Sequence, residues 1–134
     1  MTTAVICIAI LSTLVLGLGM NVSRLRGMRQ KEGGQQFPTD ASDSLFKAVR
    51  AHGNAAEYVT TLAVLMLVIG SSPSTSSTWT AFVMAGATAS RLLHAVAVFI
   101  SPSLERQTVL RLVGAMGTYV LGLALVVAAV LTVR

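Results

Sequence analysis

Residues 112–133 read Leu-Val-Gly-Ala-Met-Gly-Thr-Tyr-Val-Leu-Gly-Leu-Ala-Leu-Val-Val-Ala-Ala-Val-Leu-Thr-Val, with no charged side chain. As a helix this stretch is about 33 Å long at 1.5 Å per residue, close to the ~30 Å hydrocarbon thickness of a bilayer. Asp, Glu, Lys and Arg are also absent from 1–23, 58–90 and 92–104. Of the 134 residues, 54% are hydrophobic and only 11% charged, against ~25% charged in soluble domains. Five acids and ten bases cannot coat a small soluble globule. The composition therefore excludes a soluble enzyme and a disordered tail. The single Cys7 excludes an intramolecular disulfide framework and any multi-cysteine metal site.

Four spans are predicted in one domain of 1–134, at about 2–20, 45–69, 79–100 and 107–133, giving an all-α, integral membrane four-helix bundle. The first is expected to be an uncleaved anchor, because Met1-Thr2-Thr3 lacks a positive leader and Arg24, Arg26, Arg29 and Lys31 follow the apolar run. Segment 24–47, with five bases, three acids, Gly33-Gly34 and Phe37-Pro38, reads as a long loop. The 70–78 connection is polar and uncharged, and Trp79 suits the interfacial belt. Bases cluster in the 1–2 and 3–4 connections, so these are expected in the cytoplasm and both termini outside, in a bacterial inner membrane. The sequon Asn21-Val22-Ser23 then lies on the wrong side for glycosylation. The pI of about 10.4 does not point to nucleic acid, because the basic residues flank apolar runs instead of forming one face.

Ionisable groups inside spans are costly and mark function or specific pairing. Taking Arg50 as zero on a helical wheel, Asn54 lies at about 40°, Thr61 at about 20° and Glu57 at about 340°. His52, at about 200°, faces away. On the third span Arg91 and His94 share a face, and Arg91 is the expected partner of Glu57. With Arg24, Arg50, Arg106 and Arg111 near one membrane surface, only Glu57 and Glu105 are at hand to neutralise them, an excess that favours an anionic ligand. Gly114, Thr118 and Gly122 form a small-xxx-small surface for close helix approach.

Three pieces together resemble one family: Ser23-Arg24-Leu25-Arg26, then Arg50-Ala51-His52-Gly53-Asn54-Ala55-Ala56-Glu57, then Arg91-Leu92-Leu93-His94 with Arg106 after a short loop. The chain is similar over its whole length to the MAPEG family, the membrane-associated proteins in eicosanoid and glutathione metabolism, and most to its small bacterial members. The resemblance implies a homotrimer that holds glutathione, or a related thiol, between protomers. It implies glutathione-contacting roles for Arg24, Arg50, Asn54, Glu57 and His94, and a catalytic role for Arg106 beside the thiol. Lipophilic small molecules would reach the site from the bilayer. Two tyrosines of the eicosanoid enzymes are replaced here by Val98 and Leu110, and a second arginine by Gly53. The expected function is a membrane-embedded glutathione-dependent transferase or peroxidase acting on lipophilic electrophiles, with no metal. The alternatives are a non-catalytic lipid- or thiol-binding relative and a small four-span transporter; coupling in the latter needs an acidic residue that 1–23 lacks.

Overall fold

The computed structural model describes residues 1–72 and 77–133. The centre of the predicted polar connection, 73–76, and Arg134 lie outside the described residues. Four helices account for most of the chain: α1 Thr2–Lys31, α2 Ser44–Ser71, α3 Thr78–Ile100 and α4 Val109–Leu131. Each is long and apolar enough to cross a membrane, and among the described residues there is no strand.

The first helix runs past the predicted span end near residue 20 to Lys31. Hydropathy marks where a helix leaves the hydrocarbon, not where it stops. Residues 21–31 are rich in Arg, Leu, Met, Gln and Lys, all good helix formers, and contain no proline. The predicted 24–47 loop therefore shrinks to 32–43. The stop is a Schellman turn: Gly33 takes φ +66, its N–H donates to the Gln30 carbonyl (3.3 Å), and the Gly34 N–H donates to the Arg29 carbonyl (2.8 Å). Asp43 then caps α2, its carboxylate accepting from the Leu45 and Phe46 N–H groups at 2.8 and 3.0 Å. Arg29 pairs with the same carboxylate, tying the end of α1 to the start of α2.

Helix α1 packs on α2 and α3, α4 packs on α3 and α2, and among the described residues the α1 and α4 backbones do not approach closely. Leu11, Leu62, Met66, Ile69, Met84 and Leu125 fill the core near the chain termini. Toward the other end the core is thinner and built of smaller groups, including Ala51, Ala55, Ala95 and Val98. Outward-facing Leu16 (69% exposed), Phe82 (73%) and Leu123 (67%) could not be left in water at this density. They form the lipid-facing belt of an integral, multi-pass membrane protein.

The predicted small-residue surface is used inside the chain. At Gly114 a Cβ would come within 2.7 Å of the His94 backbone nitrogen, so α4 rides directly on the α3 backbone. Thr118 is buried and returns its hydroxyl proton to the Gly114 carbonyl (2.8 Å). Gly122 faces Leu62 at ordinary contact distance.

Candidate functional site

A cavity of about 470 Å³ opens at the end of the bundle that carries the 1–2 and 3–4 connections. Helix α2 lines it with Phe46, Arg50 and Asn54, α3 with His94 and Val98, and α4 with Arg111. Ala41, Leu104 and Glu105 close it from the two connections. Those connections are joined: the Leu104 N–H donates to the Ala41 carbonyl (3.0 Å), and Lys47 Nζ donates to the Ser101 carbonyl at the end of α3 (3.2 Å). Outside the spans, the Arg29 guanidinium holds the Asp43 carboxyl below its ordinary range, keeping the α2 cap ionised.

Each polar wall residue has a structural reason for its place. The close α3–α4 approach at Gly114 brings His94 Nδ1 to 3.1 Å from the Arg111 carbonyl. Facing a carbonyl, that nitrogen must carry the proton, so in the neutral ring Nε2 is an acceptor. Arg111 lies half-buried, its Nη1 donating to the carbonyls of Arg106 (3.0 Å) and Leu104 (3.4 Å). Its Nε is buried with no protein partner. Two guanidiniums and one carboxylate, with Asn54 and His94 between them, favour an anionic guest carrying further hydrogen-bonding groups.

The structure brings together three of the predicted site residues, Arg50, Asn54 and His94. The other three lie elsewhere. Arg24 is exposed on α1 and donates to Asn21 Oδ1 (3.1 Å). Arg106 is exposed, and its backbone carbonyl serves Arg111. Glu57 is exposed in a second groove, of about 420 Å³, between α2 and α4, alongside Tyr58, Thr61 and Tyr119.

The expected Glu57–Arg91 ion pair is not formed. Arg91, 2% exposed, donates from Nη2 to Asn54 Oδ1 (2.5 Å) and stands 4.9 Å from the centre of the Tyr58 ring. The reason is rotational. Asn54 and Tyr58, at about 40° and 80° on the α2 wheel, form the edge of the polar stripe that α3 packs against, whereas Glu57 at about 340° is on the opposite edge. Tyr58 in turn exchanges a hydrogen bond with Tyr119 of α4 (3.0 Å between hydroxyls). Among the described residues the one ion pair is Arg29 with Asp43.

Sequence reasoning placed Arg111 near this membrane surface but not in the site. Its signal was its position one turn into the fourth span, opposite His94 across the Gly114 contact.

No match was found among curated proteins or solved structures. The MAPEG family model, in contrast, matches residues 3–131, which takes in all four helices and every wall of the cavity. With four membrane-spanning helices and that match over nearly its full length, the chain belongs to the MAPEG family.

Proposed function

We propose that this protein is a glutathione-dependent transferase or peroxidase that works on lipophilic electrophiles within the membrane. The observation that carries the proposal is the cavity in which Arg50, Asn54, His94 and Arg111 converge at one end of the bundle. Glutathione offers two carboxylates, one ammonium and a thiol. Arg50 is free to grip a carboxylate in a bidentate fork, and Asn54 and His94 Nε2 provide neutral hydrogen bonds. A guanidinium near the sulfur favours the thiolate. The thiolate then bonds to an electrophilic carbon and expels its leaving group. In the peroxidase variant it takes the terminal oxygen of a hydroperoxide, the O–O bond breaks and the other fragment leaves as the protonated alcohol; a second glutathione thiol then converts the sulfenic acid to glutathione disulfide and water.

The family resemblance gives the thiol-activating role to Arg106. Arg111 and Arg50 are the cations in the cavity wall, and Arg106 is not among its lining residues. Glu57 and Arg24, both exposed on a single chain, fit a homotrimer in which neighbouring protomers complete the glutathione site. A carboxylate left facing hydrocarbon costs a few kcal/mol, and a partner protomer's cation relieves it.

The test is glutathione titrated into the detergent-purified protein, reading both heat and thiolate absorbance near the ultraviolet edge. Binding is expected, weakened at least tenfold by Arg50→Ala. The bound thiol is expected to ionise one or two units below the free-cysteine value of ~8.5. Loss of that signal in Arg111→Ala but not Arg106→Ala assigns activation to Arg111, and the reverse assigns it to Arg106. Binding without any thiolate signal in the wild type would mean a thiol-binding protein without turnover. Val98, where the eicosanoid enzymes have a tyrosine, lies in the cavity wall and favours that second reading.

A further inference from the structure

Arg91 is buried and does not line the cavity, yet it touches a residue that does. Its Nη2 donates to Asn54 Oδ1 (2.5 Å), and its guanidinium carbon lies 4.9 Å from the centre of the Tyr58 ring. The Tyr58 hydroxyl is tied in turn to that of Tyr119 (3.0 Å), which holds the ring in place. The guanidinium is therefore fixed between an amide and an aromatic face.

This contact decides which way the Asn54 amide faces. A guanidinium carries N–H donors and no acceptor. The carbonyl end of the amide must face it, because the reverse would set N–H against N–H beside a buried charge. The donor end is left over. Among the described residues the buried side-chain atoms without a partner are the Nε atoms of Arg91 and Arg111. Asn54 Nδ2 has no partner either and is not one of these, so it is open, and the open space that Asn54 borders is the cavity. Arg50, one turn earlier on the same face of α2, adds a second set of donors to that wall.

The consequence is selectivity. An unconstrained asparagine offers a guest either a donor or an acceptor. With Oδ1 engaged by Arg91 and a positive charge behind it, this one offers donors and repels an ammonium. Arg50 and Asn54 then suit the oxygens of one carboxylate.

We propose that Arg91 is a positioning residue of the cavity: by holding Asn54 Oδ1 it aims the amide N–H groups at a guest carboxylate that Arg50 also grips. It does so without touching the guest. This role rests on the cavity's being a glutathione site, and it commits one wall of that site to a carboxylate.

The experiment is calorimetric titration of glutathione into the detergent-purified protein and four variants, with the melting temperature of each. Arg91→Met should bind about tenfold more weakly, since the amide is no longer aimed. Arg91→Lys keeps a donor for Oδ1 and should stay within about threefold of wild type. Asn54→Asp keeps the tie to Arg91 but puts oxygens where the donors were. It should melt no lower than wild type and still bind at least about tenfold more weakly, and it tests the aim of the amide even where Arg91→Met fails to fold. The Asn54→Ala/Arg91→Met double variant should bind within about threefold of Arg91→Met, because the arginine acts through the amide. Unchanged binding in Asn54→Asp, or a double variant whose loss is the product of the two single losses, would overturn the proposal and leave the glutathione site standing. Equal losses of binding and of melting temperature in Arg91→Lys and Arg91→Met would also overturn it, by showing a purely structural arginine. No binding of glutathione to the wild type would overturn the glutathione site itself, and this role with it.

Discussion

Arg91 of α3 donates to Asn54 of α2, so a fully buried guanidinium in the middle of the bundle is held by a neutral amide and an aromatic face. An amide satisfies one N–H without adding a second buried charge, and the Tyr58 ring supplies a cation–π contact in place of a counterion. The arrangement ties α2 to α3 at the floor of the candidate site.

Removing the amide should strand the cation. Asn54→Ala is expected to cost about 2–3 kcal/mol, the cost of losing a hydrogen bond to a charged group. Adding Arg91→Met should restore part of it, since the charge leaves with its partner. Thermal unfolding in detergent of both single variants and the double variant measures this. Strictly additive losses would show that the two side chains are not coupled.

The α3–α4 contact should tolerate no side chain at Gly114. Gly114→Ala drives a methyl into the His94 backbone, which cannot swing aside, and should cost about 1–3 kcal/mol. Gly122→Ala meets Leu62 at 3.7 Å and should be close to neutral. Comparing the melting temperatures of the two variants checks the asymmetry.

Acid should loosen the link between α1 and α2. The Asp43 carboxyl is held below its ordinary value of 3.8, first by the Arg29 side-chain hydrogen bond. A carboxylate with a lowered folded-state pKa stabilises above its unfolded value, and that contribution disappears as pH falls through the folded value. The pair is partly exposed, so its share is about 1 kcal/mol or less. Asp43→Asn keeps the cap and loses the ion pair. It should be less stable than wild type at pH 7, and the gap should narrow below pH 3.8 and close as pH falls through the lowered folded-state value. A gap that stays constant with pH would refute the role of the pair.

Orientation should follow the bases. Gln35→Cys, in the 1–2 connection, is expected to resist an impermeant thiol reagent in intact cells, and Ser71→Cys, at the far end of α2, to react. The native Cys7 is buried and serves as an internal background. Labelling at 35 and protection at 71 would invert the topology.

Much of this was legible in the sequence because charge is so costly in hydrocarbon. The charge-free runs located all four helices, and the α2 wheel correctly put Arg50 and Asn54 on one face with His52 turned away. Three things were not legible. Hydropathy says nothing about the turns of α1 beyond the membrane, where propensity and the Gly33 turn decide. A helical wheel shows which residues share a face but not which edge of it a neighbour meets, so Arg91 went to Asn54 rather than Glu57. The aperiodic stretch between α3 and α4 sets which arginine turns inward, and its course depends on the Leu104–Ala41 tie to a distant loop.

The pattern of helix contacts also bears on how the chain is made. Helices α1 and α2 are each other's principal partners, as are α3 and α4, and both pairs are joined by short connections at the same end of the bundle. Each pair is a helical hairpin that can enter the bilayer and close on itself. The first hairpin has its own latch, Arg29 with Asp43, which takes no residue from the second. The candidate cavity, which needs walls from α2, α3 and α4, comes into being only when the two hairpins dock. The cavity is thus the last feature of the fold to form, since neither hairpin encloses it alone.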